Sequence, residues 1–140
     1  MKPEYIILHH SLTKDSASVS WRAIRNYHMN TLGWRDIGYH FGIERVGSSV
    51  ETLVGRMWDE SGAHCRGQGM NHRSIGICFV GDYDSFSLPK NEWYAGLRLC
   101  RALMDTFGIP QEKVKGHREI YPTKTCPGMQ FDLNLFRMNL

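Results

Sequence analysis

The chain contains no apolar run long enough to span a lipid bilayer. Near its start the longest such run is Tyr5–Leu8, whereas a membrane helix needs about 20 apolar residues. The run is also too short for the hydrophobic region of a secretory signal, and no basic, cleavable segment comes before it. The sequence therefore predicts no membrane span, and it predicts a protein that stays in the cytoplasm until something releases it.

Dense clusters of positive charge are also missing. Lys and Arg total 17 against 14 Asp and Glu, which gives a formal net charge of +3. No nucleic-acid partner is expected, because proteins that bind nucleic acid usually carry a basic patch; an anionic polymer remains a second option. The apolar content of 41% argues against disorder and coiled coil. A length of 140 residues fits one compact domain, residues 1–140, which we expect to be a monomer.

Cysteine is scarce, with four residues, whereas histidine is comparatively frequent, with seven. In a chain without an export signal, free thiols or metal ligands are favoured over disulfides. The histidines are therefore the first place to look for chemistry.

Strand and helix patterns alternate along the chain. The predicted strands cover residues 4–10, 38–46, 49–54, 74–80 and 113–116. One helix is expected to begin at Ser18 or Ser20 and stop at Gly33, and a second to run from about Pro89 to Phe107. Residues 60–73 and 117–128 read as long loops. The pattern predicts a single-domain α/β fold with a mixed central β-sheet flanked by helices.

Three potential metal ligands stand at predicted strand ends or just beyond them. His9 closes the first strand, His117 follows the last, and Cys126 lies in the loop after it. Strand ends can meet at one edge of a sheet, and two imidazoles with one thiolate suit tetrahedral zinc with a fourth position open for water. Taken singly, each residue is weak evidence, because a histidine at a strand end is usually only polar and a lone cysteine is often a core thiol.

Four segments of the chain resemble one enzyme family. They are IILHHS at 6–11, GYHFGIERVG at 38–47, GAHCRGQGMNHRSIGICFVGDY at 62–83 and GHREIYPTKTCPG at 116–128. In this order they are similar to the type 2 zinc-dependent N-acetylmuramoyl-L-alanine amidases, a family that includes phage lysozyme-like amidases and peptidoglycan recognition proteins. The resemblance implies a peptidoglycan hydrolase that cleaves the amide between N-acetylmuramic acid and L-alanine of the stem peptide, acting as a phage or prophage endolysin on the bacterial cell wall.

The resemblance also implies roles for individual residues. The zinc ligands would be His9, His117 and Cys126, the catalytic residues Tyr39 and Lys124, and the substrate-binding residues His64 and Asn71. The stretch between His117 and Cys126 is one residue longer than in the phage enzymes, which leaves open whether Thr123 or Lys124 faces the substrate. His10 would point away from the metal, since neighbouring strand residues face opposite sides of the sheet.

Zinc would supply both an activated water and a place for oxyanion charge, because it lowers the pKa of a bound water to about 7 and polarises a carbonyl. Lys124 is then expected to stabilise the oxyanion, and Tyr39 to relay a proton toward the leaving amine. The general base is left open.

Structural roles are expected for the remaining candidates. His28 and His40 should pack or support ligands, His72 should be solvated, and Glu119 should orient a ligand histidine or Arg118. For Trp34 and Trp58, core packing is favoured over substrate contact, and Cys65 and Cys78 are expected to be free thiols.

Two other functions compete with the endolysin. A non-catalytic peptidoglycan-binding module would lack the cysteine ligand, which is present here as Cys126. A cytoplasmic amidase that recycles anhydro-muropeptides would carry Glu at the position of Cys78 and would lack Tyr39. Both comparisons favour the phage-type branch.

Overall fold

The computed structural model describes residues 1–13 and 21–140. Its strands are β1 (Tyr5–His10), β2 (Phe41–Val46), β3 (Ser49–Val54), β4 (Ser74–Phe79) and β5 (Val114–Gly116). Its α-helices are α1 (Trp21–Asn26), α2 (Lys90–Phe107), α3 (His117–Ile120) and α4 (Leu133–Met138). A π-helical turn at Tyr27–Thr31 extends α1, and 3₁₀ turns lie at Gly67–His72 and Gln111–Lys113.

The five strands form one mixed sheet in the order β3-β2-β4-β1-β5. Strand β1 pairs in parallel with β4 and β5, and β2 pairs in parallel with β4. Only the β2–β3 hairpin is antiparallel, and it turns at Gly47, whose φ of 61° favours glycine. The predicted mixed sheet flanked by helices is confirmed.

Strands β1 and β4, in the interior of the sheet, are buried on both faces, as their unbroken apolar runs predicted. Every residue of β4 is buried, and so is every residue of β1 after Tyr5. Because side chains alternate along a strand, each strand serves two faces. One face carries Ile6, Leu8, Ile75, Ile77 and Phe79, which form the main core with α2 and α4. The opposite face packs against two smaller buried clusters, which contain Trp21 and Cys65, and the candidate site lies there.

Helix α2 follows its predicted pattern closely. It buries Leu97, Cys100 and Leu103, and it ends at Gly108, whose left-handed φ of 66° suits a residue without a Cβ atom. The predicted first helix is observed as α1, which continues into the π-helical segment and ends at Thr31, just before the predicted stop at Gly33. Its proposed cap, Ser18 or Ser20, lies outside the described residues.

Two segments differ from the sequence-based prediction. Strand β2 starts at Phe41 and not at residue 38, because the backbone of Gly38 and His40 bonds to loop residues and to Gly76. The predicted loop 117–128 opens with the short helix α3, where the Glu119 carboxylate accepts the Gly116 N–H at 2.8 Å. Within the part of the chain that the structure describes, no helix has the length and apolarity needed to cross a membrane.

Candidate metal centre and groove

The sheet topology brings the three predicted ligands together. His9 lies near the carboxyl end of β1, and His117 follows β5, the parallel neighbour of β1. Their rings are 4.7 Å apart between centroids. Cys126 completes the group from the next loop, and one potential ligand atom of each residue lies within 4.8 Å of the others.

The donor set fits a tetrahedral metal. Zinc bonds of about 2.0–2.1 Å to nitrogen and 2.3 Å to sulfur place neighbouring N and S ligands about 3.5–3.6 Å apart. The His9 Nδ1 to Cys126 Sγ distance is 3.5 Å. Burial lowers the pKa of His9 well below its usual value, and burial with the nearby Lys124 charge lowers the pKa of His117 to about 4. Both imidazoles are therefore neutral at pH 7, which is the form that binds metals.

The thiol lies in a pocket that favours its protonated form. Burial raises the pKa of the Cys126 thiol to about 12, although the His10 N–H donates to its Sγ at 3.3 Å. Only a strong local positive charge stabilises a thiolate there, and a divalent cation between the three ligands supplies one. The ring of His10 points to the other side, where its Nδ1 accepts the Tyr83 N–H.

Arg118, next to His117, holds the cysteine loop in place. Its backbone N–H donates to the Cys126 carbonyl at 2.8 Å. Its guanidinium donates to the carbonyls of Thr125, Gly128 and Phe131. Glu119, which was expected to orient a ligand histidine or Arg118, instead forms an ion pair with Arg137 at 2.8 Å. Arg118 was not singled out from the sequence, although its place after His117 in the GHREIYPTKTCPG segment was the available signal.

His64 lies against His9 in the structure. Its Nδ1 is 2.9 Å from His9 Nε2, and its Nε2 is 3.4 Å from the Ser74 carbonyl oxygen. The residue is only 8% exposed. The Asn71 Oδ1 accepts the backbone N–H groups of His64 and Cys65, each at 2.8 Å. Asn71 therefore shapes the loop that carries His64.

Tyr39 stands on the other side of His9, with ring centroids 5.2 Å apart. Burial, mainly, raises the pKa of its hydroxyl well above the usual value, and the nearby Cys78 thiol contributes. The hydroxyl therefore stays protonated and can donate a hydrogen bond. Arg56 anchors this region, because its side chain donates to the carbonyls of Ile37 and Ser61.

A cleft of about 460 Å³ opens beside His117 of the candidate metal centre. Its lining consists of Trp34, Ala63, His64, Cys65, Arg66, Asn71, His117, Tyr121 and Lys124. The lining includes Lys124 and not Thr123, and the Lys124 charge helps to lower the pKa of His117. Trp34, Arg66 and Tyr121 were not predicted as lining residues; packing in the core was favoured for Trp34.

A second cavity, of about 320 Å³, lies beyond Tyr39 and is lined mainly by apolar groups. Its lining includes Ser11, Thr13, Ile24, Tyr27, His28 and Tyr39.

The other predicted structural residues have identifiable partners. The His28 ring accepts the Gly38 N–H, and the His40 ring accepts the Gly76 N–H. His72 is exposed and lies 3.0 Å from the Ser61 hydroxyl. Trp58 contacts the Phe107 ring but is 43% exposed, so the predicted core packing is wrong for this residue. Cysteines 65, 78, 100 and 126 are all free in the structure.

Fold and site together define a single-domain α/β protein with a candidate divalent-metal centre at its sheet edge. The chain belongs to the N-acetylmuramoyl-L-alanine amidase family, because the family's sequence model matches residues 1–129.

Three known proteins illustrate the relationship. The endolysin of Escherichia phage T7 is 40% identical over 131 residues, which cover 91% of this chain and 81% of the phage protein. The solved N-acetylmuramoyl-L-alanine amidase LysC from Clostridium intestinale superposes with a TM-score of 0.84 at 26% identity, over 98% of this chain and 84% of LysC. A Drosophila PGRP-LB mutant in complex with tracheal cytotoxin gives a TM-score of 0.78 at 29% identity, over 96% and 81% of the two chains.

Proposed function

We propose that this protein is a zinc-dependent peptidoglycan hydrolase of the phage or prophage endolysin type. It would cleave the amide bond between N-acetylmuramic acid and the L-alanine of the stem peptide in the bacterial cell wall. The observation that carries the proposal is the grouping of His9, His117 and Cys126 as potential metal ligands, with His117 also lining an open cleft. The similarity to the T7 endolysin supports the wall as substrate, and we propose that the protein waits in the cytoplasm until it is released.

His9, His117 and Cys126 would hold the zinc ion. When bound, zinc supplies Lewis acidity, which activates a water and polarises the carbonyl of the scissile amide. Two neutral imidazoles and one thiolate leave the centre with a net charge of about +1, which favours negative charge on the substrate oxygen.

Lys124 is assigned an electrostatic role. It is exposed on the cleft wall next to His117, where an ammonium group stabilises the negative charge that develops on the substrate carbonyl oxygen. Such a group acts without giving up its proton, so Lys124 does not need to serve as the base.

Tyr39 is assigned a proton-handling role on the opposite side of His9. Its buried hydroxyl remains protonated, which makes it a donor to the reacting amide and a route for a proton toward the leaving amine. Because Tyr39, Lys124 and the three ligands come from one copy of the chain, we propose that the 1–140 domain acts as a monomer.

Metal analysis and a product assay test the proposal together. The purified protein should contain about one zinc per chain, as the three-ligand set requires. Chelation should abolish cleavage of purified cell walls, and added zinc should restore it. Cleavage should release new amino-terminal alanine, and Cys126→Ala should be inactive.

Cys100→Ala is the matched control, because it removes a thiol buried in the opposite core and leaves the cleft intact. Wild-type wall cleavage by a metal-free Cys126→Ala protein would refute the zinc mechanism. Binding to the wall without new amino-terminal alanine would instead identify a binding module.

A further inference from the structure

His64, predicted to bind substrate, lines the cleft, and both nitrogens of its ring face protein atoms. Nδ1 lies 2.9 Å from Nε2 of His9, and Nε2 lies 3.4 Å from the Ser74 carbonyl oxygen. We propose that His64 is a positioning residue that fixes the tautomer and the orientation of the metal ligand His9. The inference rests on the proposed metal site, which it extends by one shell of hydrogen bonds.

The direction of the hydrogen bonds follows from one atom that can only accept. The Ser74 carbonyl has no proton, so Nε2 of His64 must be the donor in that contact. A neutral His64 then has only a lone pair on Nδ1, and His9 must donate to it from Nε2. The lone pair of His9 is consequently on Nδ1, the atom that faces Cys126 Sγ at 3.5 Å. A main-chain carbonyl on β4 thus sets which nitrogen of His9 is free for a metal.

The surroundings of the His64 ring favour its neutral form. It is 8% exposed, and its centroid lies 5.0 Å from the ring of His9 and 5.5 Å from that of His40. Loss of hydration at this buried position favours the neutral form of the ring. A second positive charge beside a metal ligand would be opposed further by the cation itself.

Two glycines leave room for the ring and restrict its movement. A Cβ atom at Gly76 would lie 2.6 Å from the His64 ring, and one at Gly62 would lie 2.4 Å from it. The backbone of His64 is held by Asn71, whose Oδ1 accepts its N–H. The position of the ring is therefore restricted by the held backbone of His64 and by close packing against Gly76 of β4.

Groups that hydrogen-bond a metal-ligating histidine raise its basicity and fix its orientation, and their loss usually weakens metal binding roughly 10- to 100-fold. We expect the zinc dissociation constant of His64→Leu to rise by about that factor, measured by competition with a chelator. His64→Gln keeps a side-chain oxygen that can accept from His9 and should recover part of the affinity. His72→Leu, an exposed histidine of the same loop, should bind zinc like wild type.

The zinc-binding measurement tests the role of His64 separately from the proposed metal site. If the wild-type protein binds no zinc, the proposed metal site and the role of His64 both fall. If wild type binds zinc and His64→Leu binds it equally well, the metal site stands and the role of His64 is wrong. A partial recovery by His64→Gln would support a hydrogen-bonding role over a purely steric one.

A second measurement needs no substitution, and so it remains informative if His64→Leu does not fold. In nitrogen NMR spectra of the zinc-loaded wild-type protein, Nε2 should carry the proton in both His9 and His64, and Nδ1 of His64 should be unprotonated. Finding the proton of His9 on Nδ1, or that of His64 on Nδ1, would overturn the inference.

Discussion

The burial of His64 predicts how the metal-free protein responds to acid. The pKa of this imidazole is about 3 in the folded chain, against an ordinary value of 6.5. Below pH 6.5, His64 therefore binds a proton in the unfolded chain but stays unprotonated in the folded chain. The contribution of His64 to the free energy of unfolding is fully present above the pKa of the unfolded chain. It falls as the pH drops below that value, and it continues to fall until the pH reaches the pKa of the folded chain.

The size of the effect follows from the two pKa values. Between about pH 6.5 and pH 4.5 the unfolded histidine is protonated and the folded one is not, and each pH unit is worth about 1.4 kcal/mol. His64 alone should thus remove about 3 kcal/mol from the free energy of unfolding over that interval. His117 and His9 act in the same direction, because the pKa of each is lowered as well.

Urea unfolding of the chelator-treated protein at about pH 7.5 and pH 4.5 measures this difference. In His64→Gln the loss of stability between the two pH values should be smaller than in wild type by about 3 kcal/mol, because one titrating group is gone and the other buried histidines remain. His72→Gln removes an exposed histidine of the same loop and should leave the loss as in wild type. An equal loss in His64→Gln and wild type would refute the reasoning.

Three further substitutions test other parts of the site. Gly76→Ala brings a methyl group within 2.6 Å of the His64 ring and should destabilise the fold by about 1–3 kcal/mol in urea unfolding, whereas no loss would show that the ring moves freely. Tyr39→Phe should lower the rate of wall cleavage roughly 100-fold or more and leave the zinc content unchanged; a wild-type rate would remove Tyr39 from the mechanism. Lys124→Met should lower kcat by about 100-fold with the fold intact, and Lys124→Arg should recover part of it; equal rates in both would contradict an electrostatic role.

The sequence was most informative where one local pattern determines the structure. The apolar runs of β1 and β4 predicted strands buried on both faces, and Gly108 predicted the end of α2. Both depend on neighbouring residues alone. The sheet order is a long-range property, yet the placement of His9 and His117 at adjacent strand ends required only that β1 and β5 be parallel neighbours.

The sequence was least informative about contacts made by side chains across loops. His64 was expected at the substrate, because its segment resembles a groove-lining loop, and it lines the cleft; no local pattern shows that its ring also contacts His9. The four carbonyls held by Arg118 become neighbours only when the loop has folded. Glu119 pairs with Arg137 of α4, a contact that depends on where that helix packs.

The position of the ligands along the chain gives the metal centre a mechanical meaning. His9 and Cys126 are separated by 117 positions, so a cation held between them fastens one end of the polypeptide to the other. In the chain-entropy model, closing a loop of this length lowers the conformational entropy of the unfolded chain, which stabilises the folded state by about 4 to 5 kcal/mol. The ion that supplies the chemistry of the cleft would then also stabilise the whole fold as a cross-link. Loss of the ion would then remove the catalytic metal and the link between the two ends of the chain at the same time.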